Sequence, residues 1–347
     1  GCLNTQNLLV WKRDMAKRID ILEEKFLNTI KNNNLINENE VIVVGVSGGP
    51  DSITLLECLR KYQEKLKIKK IIVAHINHLI RKDSTEDEQY VEKYCEKNNI
   101  AFYAKRIDVE KIAKENKKGT EETGREIRYQ FFDEIMTKEN ATKIAIAHNM
   151  NDNAETVLLN LIRGTGMYGL EGIQPIEYNK FIKPLINCQR KEIEEYCQKQ
   201  QLNPRIDSTN KENTYTRNKI RNLIIPELTK INPNIIKTLQ RTTEIIKEEN
   251  SYIEKQVQIK YKELAHISKK CIEFSLKEIR IEDKAVQKRL INKAISGLLN
   301  STNNISKINI DDIIKMIERN IGNKTIKINK KIEILIKNKK IFINLVH

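Results

Sequence analysis

The sequence has no long apolar run and no closely spaced pair of cysteines. Nowhere do its 347 residues approach the roughly 18 to 20 consecutive apolar residues of a membrane-spanning helix, so we expect no membrane association. The N-terminus lacks the basic start and apolar centre of a secretion signal. The six cysteines are scattered without a CxxC pair, which fits reduced thiols better than disulfides or a zinc site. Together these absences predict a globular, cytoplasmic protein.

Acidic residues are too few to balance the basic ones. The chain has 62 Lys and Arg against 47 Asp and Glu, a formal net charge of +15. Such an excess favours a polyanionic partner, and nucleic acid before a membrane, because no strongly amphipathic basic helix stands out. A codon bias toward Lys, Asn and Ile, with solvated surface lysines, is the alternative. Charge alone leaves the two open.

Short apolar runs alternate with helical patterns in the first half of the chain. The runs that predict strands are VIVVGV (41–46), IIVAHIN (71–77), FYAKRI (102–107) and KIAIAH (143–148). Helical spacing predicts helices at 16–34, 52–66, 84–99 and 121–138. Because this alternation is typical of βαβ units, we predict an α/β fold with a doubly wound, mostly parallel, Rossmann-like sheet. Ligands bind such sheets beyond the carboxyl ends of the strands.

The strand signal fades after about residue 175. Residues 185–226 predict a short helix, a polar loop and a second helix start that Pro226 closes. Residues 232–300 have a helical pattern, and the alternation in 325–345 predicts a strand pair or three short strands. The α/β domain is therefore expected to precede a helical region and a small α+β C-terminal domain.

We accordingly predict three parts of the chain. The first is an N-terminal extension and helix, in which Met15 opens a more ordinary start. The second is the α/β domain, and the third is the helical and α+β region. Their expected ranges are 1–38, 39–230 and 231–347.

A glycine-rich turn lies between the first strand and the helix that follows it. Its residues are Ser47, Gly48, Gly49, Pro50, Asp51 and Ser52. A turn of this kind forms an anion site, because free N–H groups and the helix dipole converge there and glycines let the amides approach an oxygen. The G-K-[ST] ending of a Walker A loop is missing, and the shorter turn suits a pyrophosphate. A plain, capped strand-to-helix turn is the alternative.

The pattern S-G-G-x-D-S after a first apolar strand resembles the PP-loop of the N-type ATP pyrophosphatases. Those enzymes cleave ATP to AMP and pyrophosphate while adenylating a substrate, and the resemblance implies that residues 47–52 hold the pyrophosphate. Four further segments resemble the tRNA(Ile)-lysidine synthetases, in the same order: AHINHLIR (74–81), ETGREIRYQFF (122–132), AHNMNDNAETVLLNLIRGTGMYGLEGI (147–173) and DSTNKENTYTRNKIRNLIIPEL (207–228). Asn151 stands where a second aspartate is common, and Leu79 where a glycine is common.

The resemblance implies an ATP-dependent ligation on RNA. Members of that family join free L-lysine to C2 of the wobble cytidine of tRNA(Ile) with a CAU anticodon. The reaction runs through an adenylated tRNA, releases AMP and pyrophosphate, and forms lysidine. We therefore expect ATP and Mg2+ as cofactors and this tRNA and lysine as partners. A homodimer is one option for the oligomeric state, which the sequence leaves open.

The family's motifs carry catalytic roles over to numbered residues of this chain. Asp152 and Glu155 are three apart on one face of a predicted helix start, where they can share a metal ion or act on an attacking amine. The resemblance points to Asp51, Asp152, Glu155 and Arg217 as catalytic residues, with Asp51 and Asp152 as the candidate magnesium ligands. Without the family match, acidic residues at the positive end of a helix are the simpler explanation.

Nucleotide and RNA contacts are expected at further positions. Ala74 and His75 end the second strand, where a backbone edge can read adenine, and with residues 47–52 they form the expected ATP-binding set. The expected tRNA-binding residues are arginines spaced three or four apart in two segments: Arg125, Arg128, Arg217 and Arg221. Between 315 and 347, nine Lys and Arg against two acidic residues suit contacts with an RNA backbone. We expect the target cytidine to unstack into the catalytic cleft.

Several alternatives are weaker. His75, His78 and His148 invite a zinc site, but no Cys or Glu spacing completes it. A tRNA thiolase of the same fold needs a cysteine pair, which is absent. A glutamine-dependent synthetase needs a glutaminase domain, and only about 40 residues precede the first strand. A non-catalytic RNA-binding protein with a relic loop conflicts with the retained acidic residues.

Overall fold

The computed structural model describes residues 19–77, 84–205, 216–299, 307–319, 325–328 and 331–346. Contacts within the chain divide it into two compact units, Gly1–Ile246 and Lys247–His347. The three-part division expected from the sequence stays a prediction. Across the residues just given, no helix combines the length and the apolar character that crossing a membrane demands.

The first unit is built on a six-stranded sheet in the order β3-β2-β1-β4-β6-β5. Its strands are β1 Val41–Gly45, β2 Lys70–Asn77, β3 Ala101–Arg106, β4 Lys143–Ala145, β5 Ile176–Glu177 and β6 Phe181–Ile182. Neighbouring strands are parallel except for the antiparallel pair β5–β6. The predicted mostly parallel sheet is confirmed.

Helices cover both faces of this sheet. Those before residue 200 are α1 Ile21–Asn32, α2 Pro50–Lys61, α3 Ser84–Lys97, α4 Val109–Asn116, α5 Thr120–Glu139, α6 Met150–Arg163, α7 Met167–Leu170 and α8 Arg190–Lys199. Ile42 and Val44 of β1 pack in the core that α1, α2 and α8 share, while Val43 packs in the core that α5 shares. Alternate residues of one strand are thus buried on opposite faces, which is why the strand is apolar throughout.

Residues 216–231 form a continuous run of helical segments. They are α9 Thr216–Lys219, a π-helix Ile220–Ile224 and α10 Ile225–Ile231, and a long helix α11, Ile235–Leu264, follows. The expectation that Pro226 closes a helix is wrong. Pro226 lies in the first turn of α10, directly after the π-helix, and the helical run continues through it because the fixed φ of proline suits a helical conformation.

The second unit contains a five-stranded antiparallel sheet in the order β7-β8-β11-β10-β9. Its strands are β7 His266–Ile267, β8 Cys271–Ser275, β9 Thr325–Ile328, β10 Ile332–Lys337 and β11 Lys340–Leu345, and its shorter helices are α12 Leu276–Ile281, α13 Lys284–Leu299 and α14 Lys307–Arg319. Ile334 and Ile343 pack on Ile291 of α13 in one core. The α+β arrangement is confirmed, with three strands at its C-terminal end. Strands β7 and β8 interrupt the region that was expected to be helical.

Candidate active site

The glycine-rich turn is a preformed cradle between β1 and α2. Gly48 has φ +93°, a left-handed conformation that favours glycine. Gly49 is the N-cap of α2, and Pro50 occupies its first turn. The Ser52 hydroxyl accepts the Ser47 N–H at 3.1 Å and lies 3.1 Å from the Gly49 carbonyl oxygen, to which it donates. The hydroxyl oxygens of Ser47 and Ser52 lie 3.2 Å apart, so both hydroxyls are at the turn that we predicted to hold pyrophosphate.

Contacts from the segment that contains Leu202 and Arg205 also hold this turn in place. The backbone N–H of Arg205 donates to the Gly48 carbonyl oxygen at 3.0 Å. The Arg205 guanidinium pairs with Asp87 at 3.1 Å and also with Glu86, both in the first turn of α3. The Tyr90 hydroxyl donates to the carbonyl oxygen of Leu202. The path of the turn is thus fixed by α3 as well as by α2.

Three helix N-termini meet at the carboxyl edge of the sheet. Helices α2, α6 and α8 follow β1, β4 and β6, which are adjacent in the sheet. Asn149 caps α6 and forms a capping box with Asp152. The N–H of Arg190, the first residue of α8, donates to Asn151 Oδ1 at 3.0 Å. Because each N-terminus contributes the positive end of a helix dipole, this edge favours an anionic ligand.

Asp51 faces the N-terminus of α6. Its Oδ1 atom accepts from Asn149 Nδ2 at 2.9 Å, and its Oδ2 atom lies 3.8 Å from Arg190 Nη2. The pKa of Asp51 is raised to about 6, chiefly by desolvation and also by the nearby Asp152 carboxylate, while Arg190 and the hydrogen bond from Asn149 oppose the rise. The negative charge of Asp51 is therefore incompletely compensated by the protein around it.

Glu155 lies beneath the site and holds two arginines. Its side chain is 1% exposed, and it accepts from Arg217 Nε at 2.9 Å and from Arg221 Nε at 2.6 Å. Arg221 Nη2 also donates to Glu155 Oε2 at 2.9 Å and to Asp152 Oδ1 at 3.2 Å. Both oxygens of Glu155 are thus occupied by arginine donors. Asp152, 11% exposed, is the acid of α6 that reaches solvent.

A positively charged neighbourhood surrounds His148 at the end of β4. The pKa of His148 is lowered to about 4, chiefly by desolvation; the charge of Asp152 opposes this change, and the charges of Arg217, Lys183 and Arg128 add to it. The Nδ1 atom of His148 is buried and has no hydrogen-bond partner among the described residues. Arg128 is exposed as a residue, but desolvation of its guanidinium lowers the pKa of the side chain, and no ion pair is formed with the residues that the structure describes. The predicted RNA-binding Arg128 and the predicted catalytic Arg217 therefore act on the same imidazole.

The structure brings most of the residues predicted from the sequence together. Asp51 and the turn contact the α6 N-terminus, which carries Asp152 and Glu155, and both arginines of α9 and the π-helix reach these acids. Arg125 is exposed, with its guanidinium 5.4 Å from the centre of the Tyr129 ring. How these residues divide the chemistry stays a prediction.

Ala74 and His75 lie deeper than expected. The Ala74 carbonyl oxygen already accepts the N–H of Val46 at 3.0 Å, and both side chains are 2% exposed. His75 Nδ1 lies 2.8 Å from the Val46 carbonyl oxygen, to which it donates, whereas its Nε2 atom is buried with no partner among the described residues. Their ATP-binding role stays a prediction, and the free polar atom at this position is His75 Nε2.

Sequence reasoning missed Asn149, Arg190 and Arg205. Arg190 follows a helix-start signal, Gln189 with Glu192 three residues later, that marks α8 but not what its N-terminus faces. His78 and residues 207–215 of the family motifs lie outside the described residues. Within the described parts of the chain, no three His, Cys, Asp or Glu side chains come together as a metal-binding group.

Known proteins resemble this chain over the same part that forms the site. A family model described as a PP-loop domain matches residues 19–228. The chain is 47% identical over 290 residues to a tRNA(Ile)-lysidine synthase of Clostridium acetobutylicum, covering 83% of this chain and 62% of that protein. It is 40% identical over 312 residues to a tRNA(Ile)-lysidine synthase of Clostridioides difficile, covering 89% and 67%. The chain thus spans about two thirds or less of the length of these curated relatives.

The fold is also that of a solved structure. It is the U34-tRNA thiolase NcsA from Methanococcus maripaludis with its [4Fe-4S] cluster, at a TM-score of 0.54 and 21% sequence identity. The likeness covers 65% of this chain and 78% of that one. At this identity the likeness concerns the fold alone.

Proposed function

Since the chain belongs to the PP-loop family and, within it, to the tRNA(Ile)-lysidine synthases, we propose that it uses ATP to join free L-lysine to C2 of the wobble cytidine of tRNA(Ile) with a CAU anticodon. The observation that carries the proposal is the contact between Asn149 and Asp51, which joins the pyrophosphate turn to the acidic and arginine residues of α6, α9 and the π-helix. Both halves of a two-step reaction, adenylation and ligation, thus share one edge of the sheet.

The first step is attack of the cytidine C2 carbonyl oxygen on the α-phosphate of ATP. The bond between the α- and β-phosphates breaks, and pyrophosphate leaves. Such phosphoryl chemistry depends on positioning and on neutralising charge. We assign the leaving pyrophosphate to the turn 47–52, whose glycine amides and serine hydroxyls lie at the N-terminus of α2. The three helix N-termini add positive potential at the same place.

Asp51 and Asp152 are the residues that would hold magnesium. Mg2+ binds through one or two carboxylates together with phosphate oxygens and waters. Asp51 Oδ2 and Asp152 Oδ1 both face Arg190, and the raised pKa of Asp51 shows that negative charge here is undercompensated. These residues therefore fit a divalent cation, which would neutralise charge on the departing pyrophosphate.

In the second step the lysine amine attacks C2 of the adenylated cytidine, AMP leaves, and the amine loses a proton. We assign proton acceptance to Asp152, because its side chain is 11% exposed and that of Glu155, the other acid of α6, only 1%. Glu155 acts as a positioning residue, since both of its oxygens bind arginines. Arg217, with its side chain 32% exposed, is directed to the charge that develops on the substrate.

The tRNA contacts extend beyond the reacting base. Arg125 and Arg128 are exposed on α5, and Arg128 shares the surroundings of His148 with Arg217. We assign these arginines to phosphates of the anticodon loop, whose cytidine unstacks into the site. In the second unit the exposed Lys327, Lys337 and Lys339 suit further backbone contacts. We propose that the reaction takes place in the cytoplasm.

Incorporation of labelled lysine tests this function. An unmodified tRNA(Ile) transcript with a CAU anticodon is incubated with the protein, ATP, Mg2+ and radiolabelled lysine, and its nucleosides are separated. We expect label in one modified cytidine at the wobble position and none in methionine tRNA. The absence of label, with the tRNA still bound, would instead favour a non-catalytic RNA-binding protein.

A further inference from the structure

Three arginines surround the acids of the site, and they are not equally engaged. Arg217 and Arg221 donate close hydrogen bonds to Glu155, at 2.9 and 2.6 Å. Arg190 differs: its Nη2 atom lies 3.8 Å from Asp51 Oδ2 and 3.8 Å from Asp152 Oδ1, too far for a hydrogen bond to either. Among the described residues, its guanidinium donors are therefore uncommitted.

The backbone of Arg190, in contrast, is firmly placed. Arg190 begins α8, its N–H group donates to Asn151 Oδ1 at 3.0 Å, and the capping box of Gln189 and Glu192 defines the helix start. The side chain is 27% exposed, so it projects from this fixed point toward the solvent side of the site. A fixed backbone with an uncommitted guanidinium is suited to a residue that changes partner when a ligand arrives.

The position of the guanidinium indicates that partner. It faces Asp51 Oδ2 and Asp152 Oδ1, the two carboxylate oxygens that would hold magnesium. Both acids lie in the first turn of a helix, at the edge of the sheet where a polyphosphate is favoured. A divalent cation between the carboxylates repels the guanidinium, while the phosphates that arrive with it attract it. The planar guanidinium matches phosphate oxygens with two parallel N–H groups, which a lysine cannot reproduce.

We propose that Arg190 is a phosphate-binding residue of this site: it partly offsets the charges of Asp51 and Asp152 when no nucleotide is bound, and it turns to the β- and γ-phosphates when Mg2+ and ATP enter. The inference deepens the proposed function and rests on its ATP-dependent step. Arg190 thus exchanges carboxylate partners for phosphate partners, and Arg217 and Arg221 stay on Glu155. No bond is made or broken in this exchange.

Nucleotide binding without tRNA or lysine tests the proposal. Affinities for ATP, ADP and AMP are measured by calorimetry with Mg2+ for the wild type, Arg190→Ala, Arg190→Lys and Lys191→Ala. Lys191 is the matched control, because it is the next residue of α8, its side chain is 85% exposed, and it pairs with Glu195 away from the acids. Circular dichroism establishes that each variant is folded, and Arg190→Gln replaces Arg190→Ala if the latter is not.

We expect Arg190→Ala to bind ATP and ADP about tenfold or more weakly and AMP within about twofold of the wild type, since AMP lacks the β- and γ-phosphates. Arg190→Lys recovers part of the loss, and Lys191→Ala has no effect. Without nucleotide, Arg190→Ala binds Mn2+, followed by electron paramagnetic resonance, more tightly than the wild type, because a competing charge is gone. Unchanged ATP affinity, or an equal loss for AMP, overturns the proposal.

Failure of this proposal is distinguishable from failure of the proposed function. The binding measurements contain no tRNA and no lysine, so they depend only on the ATP site. Loss of ATP affinity in Arg190→Ala without lysine incorporation by the wild type supports Arg190 and contradicts the ligase. Lysine incorporation by the wild type with unchanged ATP affinity in Arg190→Ala supports the ligase and contradicts the role of Arg190.

Discussion

The Asn149 Nδ2 atom donates to Asp51 Oδ1 at 2.9 Å, although Asn149 is the N-cap of α6 and Asp51 lies in the first turn of α2. The same side chain is fully buried, and its Oδ1 atom accepts the N–H groups of Asn151 and Asp152 as the cap of α6. One amide therefore fixes a helix start and orients a carboxylate on a neighbouring helix. The contacts that cap α6 and the contact that orients Asp51 thus come from one side chain.

Serine and alanine at position 149 separate these two roles. Serine caps helices well but has no amide to reach Asp51, whereas alanine does neither. Because the hydrogen bond from Asn149 lowers the pKa of Asp51, both Asn149→Ser and Asn149→Ala raise this pKa above about 6. Only Asn149→Ala also loses about 1 kcal/mol of unfolding free energy. The pH midpoint of Mg2+-dependent ATP binding and urea unfolding measure the two effects. An unshifted midpoint in both variants contradicts the assigned contact.

Asp51 makes the native protein less stable as the pH rises. Its folded pKa of about 6 exceeds the ordinary value of 3.8, so the folded state binds this proton more tightly, and stability is lost between about pH 4 and pH 6. The cost at neutral pH is on the order of 3 kcal/mol. Asp51→Asn should therefore unfold at higher urea concentration than the wild type at pH 7.5, with the difference vanishing near pH 4.

The surface residue Asp133, which pairs with Lys180, provides the control for that experiment. Asp133→Asn should change stability by about 0.5 kcal/mol or less at either pH. If Asp51→Asn is less stable than the wild type at pH 7.5, the carboxylate is compensated in the apo site and the assigned electrostatics are wrong.

Glu155 is expected to serve function as well as stability. Glu155→Gln leaves two arginines without their buried carboxylate, which costs about 3 kcal/mol and releases Arg217 from its position. Glu23→Gln is the matched control, because Glu23 is equally buried and accepts from Tyr62 at 2.6 Å and Tyr196 at 2.8 Å, on the α1 side of the core.

Both variants should lose stability, measured by urea unfolding, but only Glu155→Gln should lose AMP release, by about tenfold or more, at a temperature where each is folded. Equal activity losses would mean that Glu155 acts through stability alone.

Arg128 should contribute to tRNA affinity through phosphate contact. Arg128→Ala is expected to reduce the slope of log affinity against log salt by about one, without changing preference among tRNAs. Lys118→Ala is the control, since Lys118 already pairs with Glu126 at 2.6 Å. Fluorescence anisotropy between about 50 and 200 mM KCl gives both slopes. An unchanged slope for Arg128→Ala removes this residue from the RNA interface.

The parallel sheet could be predicted because its signal is local. Strands β1, β2 and β4 begin within one residue of the runs that predicted them, since burial on both faces leaves a mostly apolar segment. Strand β8 was missed because its five residues lie among long charged helices, and only the alternation of Ile272 and Phe274 marks it. A pattern of only five residues is too short to stand out from the helical patterns on either side of it.

The site could be predicted only where motifs identify it. Asp51, Asp152, Glu155 and Arg217 stand in family motifs, and their convergence follows from strand order. Arg190 carries no such signal, because its relation to Asp51 depends on how the starts of α6 and α8 pack, through Asn151. Contacts between segments far apart in the sequence are set by tertiary packing, which neither composition nor periodicity encodes.

Release of AMP from ATP tests the central claim most directly. The protein is assayed with Mg2+ and ATP, with and without lysine and an unmodified CAU-anticodon tRNA(Ile), beside Asp51→Ala and with methionine tRNA as the control RNA. We expect AMP only when both lysine and tRNA(Ile) are present, and none from the variant. AMP release that is independent of lysine, or its absence although the tRNA binds, would contradict it.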